Sequence, residues 1–166
     1  MKLWLDDVRE MPKDYDFHVE TVEDAIMVLE EFETTHVGFD HDLGENEKTG
    51  YDLACWIEEQ ATHGLPRLTW SIQSDNPAGA NRIEAAMKSA TRYWRAVESM
   101  CKNNELFPIL LKHFGSVPEA LNWMTHRDPK LGHKTAAQML LDAEYRRLTR
   151  FVFDNFVEDP KLWEKV

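Results

Sequence analysis

Hydrophobic and polar positions follow two rhythms over the first 90 residues. Short strand-like runs occur at Lys2–Leu5, at His36–Phe39 and over 67–72. Between them, apolar residues recur at helical spacing. Ala25, Ile26, Val28, Leu29 and Phe32 make one face, and Leu53, Ala54, Trp56 and Ile57 a second. A third passes through Ile83, Ala86 and Met87, opened by Pro77 in its first turn with Asn76 as the cap. Thr21 is placed to cap the first of these helices. The order strand, helix, strand, helix, strand, helix predicts a parallel sheet with helices on its faces. Phe17-His18-Val19 is long enough to add a further strand.

After residue 89 the rhythm is helical only. Helices are expected over 91–100, 107–113, 118–124, 135–141 and 143–157, with a break at Lys102-Asn103-Asn104. Gly115-Ser116 and the run from Arg127 to Gly132 read as loops. The expected organisation is an α/β domain over 1–90, a helical linker over 91–104 and a small all-α domain over 105–166.

Composition sharpens this picture. Hydrophobic residues make up 43% of the 166, enough for a core and too many for disorder. No apolar run reaches the roughly 20 residues of a spanning helix, and the N-terminal apolar stretch is too short for a signal peptide. Cys55 and Cys101 have no CxxC spacing and are expected reduced, in a cytoplasmic protein. The net charge of −11 is uneven. Residues 1–89 carry seven Lys/Arg against twenty Asp/Glu, whereas 90–166 carry twelve against ten. A field of that sign opposes binding to duplex DNA or an anionic membrane and suits a cation.

The acidic residues are placed where chemistry is expected. In an open parallel sheet, ligands bind outside the carboxyl ends of the strands. One strand ends at Asp6-Asp7 and another at Asp40-His41-Asp42. Carboxylates gathered on one rim repel unless a cation sits between them, and Mg²⁺ (or Mn²⁺) suits such a set. Asp6, Asp7, Asp40 and Asp42 are therefore the candidate metal ligands. The competing expectation is that they are turn formers and caps, which accounts less well for two acidic clusters at two strand ends. His41, flanked by two carboxylates, is a candidate general acid, phosphate ligand or metal ligand, or else an exposed loop histidine. Ser74 and Asn76 follow the third strand, where a hydroxyl and helix-opening N–H groups can bind a phosphoryl oxygen; alone, Ser-Asp-Asn-Pro is a turn with a cap.

Together, Leu3-Trp4-Leu5-Asp6-Asp7-Val8-Arg9, Asp40-His41-Asp42-Leu43-Gly44, Thr49-Gly50-Tyr51-Asp52 with Trp56, and Ser74-Asp75-Asn76-Pro77-Ala78-Gly79 resemble the cyclic-phosphate-processing receiver domain. The resemblance covers about the first 90 residues. It implies a receiver-like (flavodoxin-like) fold and an activity on a cyclic phosphate, in a cyclic nucleotide or at an RNA 2′,3′-cyclic end. It also implies that Asp6 and Asp7 bind Mg²⁺, that Asp40 matches the receiver phosphoacceptor, that His41 is the variant's distinguishing histidine, and that Ser74 is the receiver hydroxyl. The family's usual His-Ser before Asn-Pro is Gln73-Ser74 here, and a glutamine can bind a phosphoryl oxygen but cannot shuttle a proton. No lysine follows the third strand, which argues against ordinary phosphotransfer signalling.

The C-terminal part is similar, over about 105–157, to the toxin-binding domain of Xre/MbcA/ParS antitoxins. The similarity is carried by Ala120-Leu121-Asn122-Trp123-Met124 and by the run Pro129-Lys130-Leu131-Gly132-His133-Lys134-Thr135-Ala136-Ala137-Gln138-Met139-Leu140. It implies a protein partner or self-association through residues 105–166; a helical domain that only buries its own apolar face is the competing expectation. Arg146, Arg147 and Arg150 form a basic stripe at helical spacing. Two functions stay open: a metal-dependent phosphoesterase with Asp40, His41 and Ser74 as its catalytic residues and Gln73, Ser74 and Asn76 binding substrate, or a non-catalytic phosphate-binding or antitoxin-like interaction module.

Overall fold

The computed structural model describes residues 1–157. Positions 158–166, the end of the expected C-terminal domain, lie outside the described residues. The chain divides into two compact units, Met1–Trp94 and a second beginning at Arg95.

The first unit is built on a four-stranded parallel sheet. Its strands are β1 (Lys2–Leu5), β2 (Phe17–Val19), β3 (His36–Phe39) and β4 (Thr69–Ile72), in the order β2-β1-β3-β4. Phe17-His18-Val19 is thus the fourth strand, and the third expected run is shorter than 67–72. Helix α1 (Val22–Glu31) joins β2 to β3, and α2 (Gly50–Thr62) joins β3 to β4. Both crossovers step the same way along the strand order, so right-handed connections put both helices on one face. Leu3, Leu5, Val37 and Phe39 meet Ala25, Leu29, Leu53 and Ile57 there in one core.

A third helix, α3, runs unbroken from Pro77 to Lys102. The sequence suggested two segments, ending near Met87 and starting at Thr91. No Gly or Pro interrupts 88–91, the Thr91 hydroxyl donates back to the Met87 carbonyl (2.9 Å), and buried Ile83, Met87, Ala90 and Trp94 sustain the period. Trp94 belongs to the first unit's core and Cys101 to the second's.

The other side of the sheet carries a polar network instead of an apolar layer. His36 Nδ1 lies 2.8 Å from Thr69 Oγ1, whose own proton goes to the Thr35 carbonyl at 3.1 Å. Nδ1 is therefore the donor, and Nε2 accepts from the Tyr15 (3.0 Å) or Ser71 (3.2 Å) hydroxyl. Tyr15 packs edge-on against Trp4. Burial holds His36 below its ordinary pKa, with nearby Lys2 adding to the effect and Asp14 opposing it.

The second unit contains α4 (Phe107–Phe114), α5 (Val117–Thr125), α6 (Ala136–Leu141) and α7 (Tyr145–Phe156). It is not purely helical. Two-residue strands β5 (Arg127–Asp128) and β6 (Lys134–Thr135) pair antiparallel across a 3₁₀ turn at Pro129–Leu131, closed by Gly132 at φ 74°. Strands this short leave no periodic signal. Met124, Leu131 and Met139 are buried together, with Trp123 and Leu140 against them. In the basic stripe, Arg147 pairs with Glu144 and Arg150 with Asp154. No helix among the described residues is long and apolar enough to cross a membrane.

Candidate functional site

The rim forms because the sheet ladder continues one residue past each strand. Leu5 pairs with Val19 on one side and Phe39 on the other, and Phe39 pairs with Ile72. The next N–H groups extend the pattern: Asp6 to the Val19 carbonyl (3.1 Å), Asp40 to the Leu5 carbonyl (2.8 Å) and Gln73 to the Phe39 carbonyl (3.0 Å). Residues far apart in sequence are thereby set side by side where the parallel strands end.

Asp6, Asp7 and Asp40 each offer an oxygen within 4.8 Å of the others. Asp6 is fully buried and Asp40 nearly so. Each commits one oxygen to backbone N–H groups: Asp6 Oδ1 accepts from Val8 (3.0 Å) and Arg9 (2.6 Å), and Asp40 Oδ1 accepts from His41 (2.7 Å). Asp7 Oδ1 is buried without a hydrogen-bond partner among the described residues. Hard oxygen donors at this spacing, one of them orphaned, fit a small divalent cation such as Mg²⁺. Above them opens a cleft of about 610 Å³ whose lining includes Asp7, Arg9, Asp40, Asp42, Ser74 and Asp75.

Asp42, expected among the metal ligands, is turned elsewhere. It lines the cleft but stands outside the three-carboxylate group. Its Oδ1 lies 2.8 Å from His41 Nδ1, and its Oδ2 accepts from the Asn76 amide at 3.2 Å. These two bonds hold its carboxyl below the usual range, the His41 contact most. With a carboxylate at Nδ1, that nitrogen carries the proton and Nε2 is the basic atom of neutral His41. Two helix openings hold His41, one by its backbone and one against its ring. The Gly50 N–H, at the start of α2, donates to the His41 carbonyl at 2.9 Å, and a side chain on Gly79 of α3 would come within 2.2 Å of the ring.

Ser74 is half-buried and accepts from the Asn76 N–H (3.2 Å), which leaves its own proton to donate. Asn76 caps α3 as expected, its Oδ1 accepting from the Gly79 N–H at 3.0 Å. Gln73 stands beside Phe39, both ends of its amide buried without a partner among the described residues. Of the expected site residues, Asp7, Asp40, Asp42 and Ser74 line the cleft. Asp6 is fully buried and, like His41, Gln73 and Asn76, is not part of the lining.

Arg9, Gly50 and Gly79 were given no role by sequence reasoning. Arg9 was visible as the one cation in the run from Asp6 to Glu10. The close approaches made by the two glycines exist only in three dimensions.

Residues 1–89 match the family model described as the cyclic-phosphate processing receiver domain, over half of the chain. No curated protein and no solved structure matches it.

Proposed function

We propose, for a chain that belongs to the cyclic-phosphate processing receiver family, that the acidic rim is the centre of a metal-dependent phosphoesterase acting on a cyclic phosphate. The observation that carries this reading is the convergence of Asp6, Asp7 and Asp40 beneath an open cleft, with one buried oxygen unsatisfied. Asp6, Asp7 and Asp40 would hold Mg²⁺ or Mn²⁺, which when bound supplies charge neutralisation and polarises a phosphoryl oxygen. The Ser74 hydroxyl donates to a second phosphoryl oxygen. His41 Nε2 takes or returns a proton at the reacting oxygen, and Asp42 orients the ring and sets its tautomer. A cyclic nucleotide or an RNA 2′,3′-cyclic end satisfies this chemistry, in the cytoplasm.

Gln73 favours a second reading, in which the same rim binds a phosphate without turning it over. It occupies the place where the resemblance leads one to expect a second proton-carrying histidine. For the second unit, we keep the role of an interaction module for a protein partner or a second copy. Support comes from the half-buried rings of Phe114, Trp123, Phe151 and Phe156: Phe114 and Phe151 stack on Trp123, and Phe156 meets it edge-on.

The test is turnover. The protein is incubated with Mg²⁺ or Mn²⁺ and a panel of 2′,3′-cyclic phosphates and cyclic nucleotides. Product that falls by about a hundredfold or more in Asp40→Asn supports the enzyme. Metal-dependent binding without product supports the second reading.

A further inference from the structure

Arg9 sits where a metal would. Its Nη1 lies 3.2 Å from Asp6 Oδ2 and 3.2 Å from Asp40 Oδ2, and its Nη2 lies 2.5 Å from Asp75 Oδ2. The other oxygen of Asp6 and of Asp40 is already committed to backbone N–H groups. The oxygens these two carboxylates could give a cation are therefore the ones Arg9 holds. Its guanidinium does not satisfy the third carboxylate, since Asp7 Oδ1 keeps no partner among the described residues.

Two cations cannot share those oxygens at contact distance without strong repulsion. We propose that Arg9 is a displaceable counter-ion: its guanidinium neutralises the rim without metal, and a divalent ion expels it into the cleft, where it becomes a ligand for the substrate phosphate. This rests on the metal reading above. The destination follows from position. Arg9 already lines the cleft with Ser74, and its side chain is about one-third exposed. Its second anchor, Asp75, is 98% exposed and lies between Ser74 and Asn76, so the bond that remains after expulsion is the weak one. A planar guanidinium freed beside a metal and a hydroxyl suits a phosphate's oxygens.

The test uses the full chain, Mn²⁺ as the metal and inorganic phosphate as the anion. Arg9→Gln is compared with wild type and with Lys2→Gln, which removes the same charge from the opposite end of β1. Calorimetry should show Mn²⁺ binding Arg9→Gln about tenfold more tightly than wild type, with Lys2→Gln within about twofold of wild type. The Arg9→Gln melting midpoint should be below wild type without metal and recover to wild type with saturating Mn²⁺. Phosphate should bind the Mn²⁺-loaded variant about tenfold more weakly. Unchanged or weaker Mn²⁺ binding by Arg9→Gln, or a midpoint equally depressed with and without Mn²⁺, overturns the counter-ion role while leaving the metal site standing. Phosphate binding equal to wild type overturns the phosphate role. Absence of Mn²⁺ binding by wild type and variant alike overturns the metal reading and this inference together.

Discussion

The same small sheet carries two polar clusters, and they are built on opposite principles. On one face, His36, Tyr15, Ser71 and Thr69 donate and accept among themselves until the histidine tautomer is determined. At the strand ends, Asp6, Asp7 and Asp40 bring negative charge together and balance it only in part, through one arginine. A neutral network whose donors and acceptors are matched stabilises the fold without a bound ion. A rim of like charges with an orphaned oxygen is costly unless a ligand completes it. That contrast separates a structural polar cluster from a reacting one more reliably than residue type does, since histidine, hydroxyl and carboxylate neighbours occur in both.

The largest expected effect comes from filling the glycines behind the two clusters. A Cβ on Gly50 would fall 1.8 Å from the carbonyl oxygen of Asp40, which is backbone and cannot yield. Gly50→Ala should cost about 3 kcal/mol or more in denaturant unfolding, or prevent soluble expression. A Cβ on Gly38 would meet the Trp4 ring at 2.7 Å and the Tyr15 hydroxyl at 2.8 Å, both side chains. Gly38→Ala should cost less, about 1–2 kcal/mol, because those groups can move. A reversed order of the two would mean that the sheet face, not the rim, is the rigid element.

Asp7→Asn tests the charge argument itself. Asp7 Oδ1 accepts no hydrogen bond that the change would lose, and its charge faces two like charges. Without metal the variant should be as stable as wild type or more so. Its affinity for Mn²⁺ should fall by about 10- to 100-fold, read by calorimetry. A destabilised variant that binds Mn²⁺ as wild type does would place Asp7 in the structural class.

Much of this was legible in the sequence because it rests on short-range patterns. Short apolar runs and period-3.6 faces gave β1, β3 and the helices of the first unit, and strand-end position singled out Asp6, Asp7, Asp40 and Asp42. Side-chain caps followed from single residues: Thr21 accepts from the Asp24 N–H, and Asn76 from the Gly79 N–H. What escaped lay in tertiary contacts. The continuity of α3 rests on Ile83, Met87, Ala90 and Trp94 all being buried in one core, and β5 and β6 are too short for a period. The turning of Asp42 from the metal group to His41 is decided by which neighbour the fold brings within 2.8 Å. Arg9 makes the point best: its type was visible, but its placement on Asp6 and Asp40 needed the folded loop.

The smallest effect expected is in the pH dependence of stability, and it isolates the neutral network. His36 is held below its ordinary value near 6.5 by burial, with Lys2 adding to this and Asp14 opposing. The folded state therefore binds fewer protons at this site than the unfolded chain does just below pH 6.5. The network's contribution is fully present above pH 6.5 and is lost as pH falls from there through the folded value. His36→Gln keeps polar atoms facing Tyr15, Ser71 and Thr69 but cannot titrate. Its stability should thus be flatter than wild type between pH about 6.5 and 5, followed by denaturant unfolding at fixed ionic strength, while its Mn²⁺ affinity at pH 7.5 stays unchanged. Parallel stability curves would show that the imidazole is not held neutral by the fold. A loss of Mn²⁺ affinity would show that the two clusters are coupled through β3, and the separation drawn between them would fail.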